Sequence, residues 1–239
     1  MFSVVIQIFY SVLATFLGLL AVWLLICILY RVTRGFFRRK KGKRRQKPVS
    51  VMIVVGSGGH TTEILRLMSG VEGKYYPRHF VVARCDRISE KKIHTFEHRR
   101  VYGSEAEKNY KVHRIPRSRS VGQSYITSIL TTLYASLYCF PLVCKIRPNV
   151  ILCNGPGTCI PLCFAGLFLK HLLLLDINIV YVESLCRVQT LSLSARLLLP
   201  IIDHILVQWP QLKEKYPEYI HKCFTKAIEA TGYLLLRIS

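Results

Sequence analysis

The sequence predicts an α/β fold: one doubly wound parallel sheet covered by helices, placed behind an amino-terminal transmembrane helix. Three observations predict it. Apolar runs of strand length alternate with longer segments of helical character after Lys47-Pro48. The first of these runs, Ser50 to Val55, leads directly into a glycine-rich turn and a helix start. Ahead of both, Met1 to Tyr30 contains no charged residue, and about 20 such residues cross a bilayer core.

The amino-terminal run is read as an uncleaved anchor over residues 1–30. A cleavable signal would place its basic residues first and follow them with a shorter apolar stretch. Here the basic residues come afterwards: 31–47 holds Arg38, Arg39, Lys40, Lys41, Lys43, Arg44 and Arg45 among others, with no acid. This cytosolic linker, 31–48, orients the rest of the chain toward the cytosol by the positive-inside rule and can rest on anionic headgroups. The net charge of +21 also raises nucleic acid as a partner. The basic run adjoins a membrane span and is not interleaved with stacking aromatics, so no nucleic acid is expected.

In the globular part, residues 49–220, strands are expected at Val49–Val55, His79–Ala83, Lys111–Ile115, Asn149–Cys153, Ile177–Val182 and His204–Gln208. Helices are expected at Thr62–Met68, Ser89–His98, Ser124–Ile146, Pro161–Leu172 and Leu191–Ile201, with 100–109 a polar connection. Pro161 to Leu175 is apolar but interrupted by Lys170 and His171, which favours a core helix over a second span. The apolar segment Thr127 to Val143 leaves contact with the bilayer interface open. The nine cysteines form no C-x-x-C pair, so neither a metal site nor a disulfide framework follows, and no cofactor is implied.

Ligands of open α/β sheets collect at the carboxyl ends of the strands. Gly56-Ser57-Gly58-Gly59-His60-Thr61-Thr62-Glu63 follows the first strand. Its glycines allow positive φ and close backbone approach, and the helix behind it aims free N–H groups at the same point, an arrangement suited to phosphate or diphosphate. The same glycines could simply fit a tight strand-to-helix turn, and neither G-x-G-x-x-G nor G-x-x-x-x-G-K-[ST] is present. His60 titrates near neutrality and is the candidate base, or else a helix-capping residue. Glu63 is a first-turn acid favoured by the helix dipole, or part of the site. Arg114, Arg117 and Arg119 offer forked donors for phosphate oxygens, or form a solvated loop. Asn154, Gly155 and Gly157 make a second strand-to-helix turn. Glu183, after a very apolar strand, is a candidate acid or base, or a structural carboxylate that pairs with Arg187 or caps the next helix.

Taken together, V-V-G-S-G-G-H-T-T-E-I-L-R-L, H-R-I-P-R-S-R, L-C-N-G-P-G-T-C, Y-V-E-S-L-C-R-V-Q-T-L-S and V-Q-W-P-Q-L-K-E-K-Y-P closely resemble the membrane-anchoring subunit of the endoplasmic-reticulum UDP-N-acetylglucosamine transferase of asparagine-linked glycosylation. The resemblance runs from the anchor to about Tyr216. A more distant likeness is to the bacterial lipid-linked peptidoglycan glycosyltransferase, which has a similar G-G-H turn. The resemblance implies a two-chain GT-B glycosyltransferase with this chain as its amino-terminal, acceptor-side Rossmann-like half. It implies a soluble catalytic subunit carrying most of the UDP-sugar site as partner. It further implies a dolichol-linked acceptor, inverting β1,4 transfer of the second GlcNAc, and residence in the endoplasmic-reticulum membrane and the nuclear envelope continuous with it, facing the cytosol.

On this resemblance Gly56, Gly58 and Gly59 cradle the acceptor diphosphate together with Ser57 and Thr61, His60 is the base and Glu63 orders the turn. Asn154, Gly155 and Gly157 line the cleft, with Glu183 and Arg187 at its edge. Residues 221–239 depart from the short tail that docks the partner in the family. A reading of a different class is a pure membrane scaffold without site residues of its own. An autonomous transferase would need two Rossmann-like domains, and only one fits after Lys47.

Overall fold

The computed structural model describes residues 48–71, 75–100, 110–119, 122–155, 157–172, 175–217 and 222–223, with helical positions 7, 10, 11, 15 and 18 near the amino terminus. The chain divides into two units, Met1–Arg44 and Arg45–Ser239. The basic linker, the polar connection at 101–109, most of the anchor and most of the 221–239 tail lie outside the described residues.

Seven parallel strands form one sheet in the order β3-β2-β1-β4-β5-β6-β7. They are β1 (Val51–Val55), β2 (Arg78–Ala83), β3 (Tyr110–Ile115), β4 (Val150–Asn154), β5 (Asn178–Val182), β6 (His204–Val207) and β7 (Lys222–Cys223). The helices are α1 (Gly59–Ser69), α2 (Arg87–Arg100), α3 (Tyr125–Ile146), α4 (Cys159–Leu172), α5 (Leu193–Leu198) and α6 (Pro210–Lys215). Every residue of β1, β2, β4 and β5 is buried, which is why β1, β4 and β5 read as largely apolar runs without alternation, whereas β2 opens with the buried Arg78 and His79. Edge strand β3 alternates more, with Lys111 and Arg114 exposed.

Side chains of β1 leave alternately for two cores. Val51, Ile53 and Val55 pack with Ile64, Leu67 and Met68 of α1 on one face. Met52 and Val54 join Cys139, Leu162, Cys163 and Ala195 from α3, α4 and α5 on the other. Helices thus cover both faces, and the strand order turns around between β1 and β4. That reversal opens a crevice beyond the carboxyl ends of β1 and β4, the binding position of a doubly wound sheet.

The element boundaries differ from expectation in instructive places. Helix α1 begins at Gly59 rather than Thr62, so Glu63 lies beyond the first turn and its position owes nothing to the helix dipole. Helix α5 is only six residues, capped by Ser192, whose hydroxyl accepts from the Ala195 N–H. Helix α6 and strand β7 are additional; the second has just two residues, too short to carry a pattern.

Beneath α2, Glu97 accepts two hydrogen bonds from the Arg78 guanidinium, at 2.8 and 2.6 Å, and both side chains are buried. Removing one partner strands the other charge in a low dielectric. Glu97→Gln is therefore expected to destabilise the fold by about 3 kcal/mol or more. Chemical denaturation measures it, and a loss below about 1 kcal/mol would show that the pair is not isolated from water.

Candidate active site

Register brings the two predicted turns together. Val55 of β1 pairs with Asn154 of β4, so the chain leaves both strands at the same level of the sheet. From Val55 it passes through Gly56-Ser57-Gly58, and Gly58 takes φ 69° and ψ −122°, a conformation that a side chain strongly disfavours. His60 then stands in the first turn of α1, facing the Asn154 turn.

The glycines divide into two kinds. A Cβ on Gly56 would sit 2.9 Å from His60 Cβ, and one on Gly155, where φ is +102°, would sit 3.0 Å from His60 Cγ. These two glycines make room for the imidazole. Around Gly58 and Gly59 nothing lies within 4 Å of an added Cβ, so this side of the turn is open to a ligand. Thr61 is buried and its hydroxyl donates to the Gly56 carbonyl at 2.7 Å, fixing the turn from beneath.

His60 Nδ1 lies 3.0 Å from Asn154 Oδ1 and 3.4 Å from Glu63 Oε2. Asn154 Nδ2 donates to Glu63 Oε2 at 3.1 Å, which directs the amide oxygen at the imidazole. Because both oxygens near Nδ1 are acceptors, the ring proton resides on Nδ1. In the neutral form Nε2 is then the acceptor. Glu63 extends the network to a third strand end: its Oε1 accepts from Ser184 Oγ at 2.9 Å and from the Leu185 N–H at 3.3 Å. The loops after β1, β4 and β5 are joined through this one carboxylate.

The hydrogen bond with Glu63 raises the His60 pKa above the usual 6.5, against the opposing effect of burial. For Glu63, burial pushes upward, but hydrogen bonds from His60, Asn154 and Ser184 outweigh it and hold the carboxyl below 4.5. Both shifts favour the imidazolium–carboxylate pair over the neutral pair.

Glu183 occupies a different place. It is 1% exposed, and its two oxygens accept from the Ser184 N–H at 3.0 Å and the Ser192 N–H at 2.8 Å. That is an anchoring arrangement: it ties the start of the 184–192 loop to its end, while Arg187 is exposed on that loop and does not pair with it. Arg117 does reach the glycine turn, donating to Ser57 Oγ at 3.1 Å. Arg119 passes beside Gly157 and donates to the Gln123 carbonyl. Arg114 stands apart, since both ends of its guanidinium are taken by Glu90 at 2.9 and 2.7 Å beside the edge strand. A cavity of about 850 Å³ lined by Glu90, His113 and Arg114 also lies there, away from the glycine turn.

Three functional contacts escape inspection of the sequence. Ser184 holds Glu63, Ser192 closes the loop by bonding Tyr181 at 3.2 Å, and the Trp209 indole donates to the Leu185 carbonyl at 2.7 Å. Ser184 and Trp209 each carried a signal in their place at a strand end, whereas Ser192 carried none of that kind.

The sign of the pH dependence follows from the two shifts. Stability from His60 is complete below 6.5 and is lost as pH rises through its elevated folded value. Stability from Glu63 is present above 4.5 and is lost as pH falls through its depressed value. In an NMR titration His60 should titrate above 6.5 with its neutral form protonated at Nδ1, and Glu63→Gln should lower that midpoint. An unmoved midpoint would show that Glu63 does not control the imidazole.

Residues 51–224 match the family model described as oligosaccharide biosynthesis protein Alg14 like. The chain is 50% identical over 178 residues to the UDP-N-acetylglucosamine transferase subunit ALG14 of Rattus norvegicus, covering 74% of this chain and 82% of that one. The Homo sapiens protein of the same name is 47% identical over 178 residues, with the same coverage. The Schizosaccharomyces pombe protein is 38% identical over 199 residues, covering 81% of this chain and 91% of the other. Among solved structures, MurG of Acinetobacter baumannii aligns with a TM-score of 0.46 at 14% identity, over 69% of this chain and 43% of that longer one. By the extent of the family match and the identity to these relatives, the chain belongs to the Alg14-like oligosaccharide biosynthesis family.

Proposed function

We propose that this chain is the acceptor-side, membrane-anchored half of a two-chain UDP-N-acetylglucosamine transferase that adds the second GlcNAc, in β1,4 linkage, to dolichol-diphosphate-GlcNAc. The observation that carries the proposal is the His60 imidazole, held through Nδ1 by Asn154 and Glu63 beside an open glycine turn. The names borne by the relatives supply the donor class.

In this reading the apolar run 1–30 and the basic run 31–47 fix the chain at the cytosolic face of the endoplasmic reticulum, and a soluble subunit brings the UDP-GlcNAc-binding half. The open side of Gly58-Gly59, at the amino terminus of α1, receives the acceptor diphosphate, with Arg117 contributing charge. Ser57 and Thr61 shape the turn that Arg117 and Gly56 bond to. Glu183 positions the third loop through its two backbone contacts, so His60 is the stronger base of the two candidates.

The chemistry is a single displacement. The acceptor 4-hydroxyl oxygen attacks C1 of the donor sugar, its proton passes to His60 Nε2, and the C1–O bond to UDP breaks with the electron pair leaving on the diphosphate. Attack opposite the leaving group inverts the anomeric centre. Glu63 stabilises the imidazolium that results, and Asn154 keeps the ring in the tautomer whose Nε2 can accept.

Co-expression with the soluble subunit tests the assignment. His60→Gln should lower transfer by about 10²–10⁴-fold, the range expected for loss of a general base, while co-purification and membrane recruitment persist. Full transfer by that variant would reduce the chain to a scaffold.

A further inference from the structure

Helix α3 turns an apolar side to the outside. Its buried seam is narrow: Ala135 is fully buried, and Cys139 and Val143 join the core cluster with Ile115 of β3 and Leu162 of α4. On the other side Ile126, Leu130, Leu133 and Leu137, spaced as one helical stripe, are exposed, with Ile126 at 77%, Leu133 at 60% and Leu137 at 71%. A surface helix normally presents polar groups there. The 22 residues of α3 contain one charge, Lys145, at the carboxyl end. Exposed Phe164, Phe168 and Leu172 of α4 extend the surface, with the Phe168 ring packed edge-on to Phe140 of α3 at 5.3 Å.

What borders this face is cationic. The Arg84 guanidinium sits 4.9 Å over the Tyr138 ring, and Tyr138 in turn packs edge-on against Tyr134. Arg84 also lines a cavity of about 390 Å³ with Arg87, Glu90, Lys91, His94 and Arg114. Four cations there face a single carboxylate, already engaged by Arg114. Apolar side chains, tyrosines at the margin and arginines beyond them reproduce in order the depth profile of a bilayer surface: acyl chains, interface, phosphate.

We infer that α3 with the exposed edge of α4 is a lipid-contact surface, lying in the plane of the membrane with its apolar stripe among acyl chains and the Arg84-Arg87-Lys91 cluster on anionic headgroups. At about 33 Å in length, α3 could span a bilayer. The buried seam fastens it to α4 and the core beneath it, so it lies on the membrane instead of crossing it. A protein partner would have to bring acids to the cluster and a long apolar groove to the stripe together, whereas an anionic bilayer supplies both. The contact stands apart from the transfer reaction, since it is read from lipid proximity and not from product.

The full chain, carrying Trp23→Phe to remove the other native indole, is reconstituted in phosphatidylcholine vesicles with and without phosphatidylserine. Leu133→Trp then places a reporter on the stripe. Replacing the lipid with its brominated form should quench the introduced indole about twofold or more while sparing Trp209, and more strongly with phosphatidylserine at low salt. Arg84→Glu combined with Lys91→Glu should abolish the phosphatidylserine-dependent part. An introduced indole quenched no more than Trp209 would overturn the inference. Blue-shifted emission without lipid quenching would overturn it too, by showing the stripe covered by protein. Quenching indifferent to phosphatidylserine would overturn the headgroup assignment.

Discussion

The pairing of Val55 with Asn154 across β1 and β4 is the constraint on which the site depends. It occurs where the strand order reverses, so the two chains diverge and leave a crevice that their own turns must line. Because Asn154 closes β4 at the level where β1 ends, its amide meets the first side chain of α1 that can return to the sheet, His60. A one-residue slip would point Asn154 at the opposite face and remove the contact. Gly56 and Gly155 belong to the same constraint, since the imidazole fills the volume that their side chains would take.

Glu63 turns this local fit into a junction of three strand ends. It receives hydrogen bonds from the β4 turn through Asn154 and from the β5 loop through Ser184 and Leu185, while facing the histidine of its own helix. A carboxylate with so many donors stays ionised despite partial burial, and its hydrogen bond with the imidazole, followed by its charge, raises the imidazole pKa. The shift favours the imidazolium form of His60, and the ring passes to its neutral base form as pH rises. Glu183 completes the frame from deeper in the fold by holding both ends of the loop that carries Ser184.

Much of this was legible in the residues. A buried parallel strand is apolar on both faces, so β1, β4 and β5 declared themselves as short unbroken runs, and the turn after each was recognisable as a strand end. The glycine turn and His60 followed from that. The partition of the glycines was not legible, because it requires knowing that β1 neighbours β4, strands separated by two others in sequence. Arg114 looked equivalent to Arg117, yet they are three residues apart and diverge: one meets Glu90 beside the edge strand and the other meets Ser57 at the turn. Composition likewise marked α3 as apolar without revealing that most of its apolar surface faces outward, since that depends on how narrow its buried seam is.

If the His60–Glu63 pair governs proton removal from the acceptor, transfer requires neutral His60 and must switch on as pH rises through its elevated pKa. The decisive measurement is the pH dependence of kcat/KM for the transferase reconstituted with its catalytic partner, compared with the same preparation carrying Glu63→Gln. The account predicts an acidic limb with a midpoint above 6.5, displaced to lower pH by the substitution. A limb that stays in place when Glu63 is neutralised would contradict it and put the base outside this network.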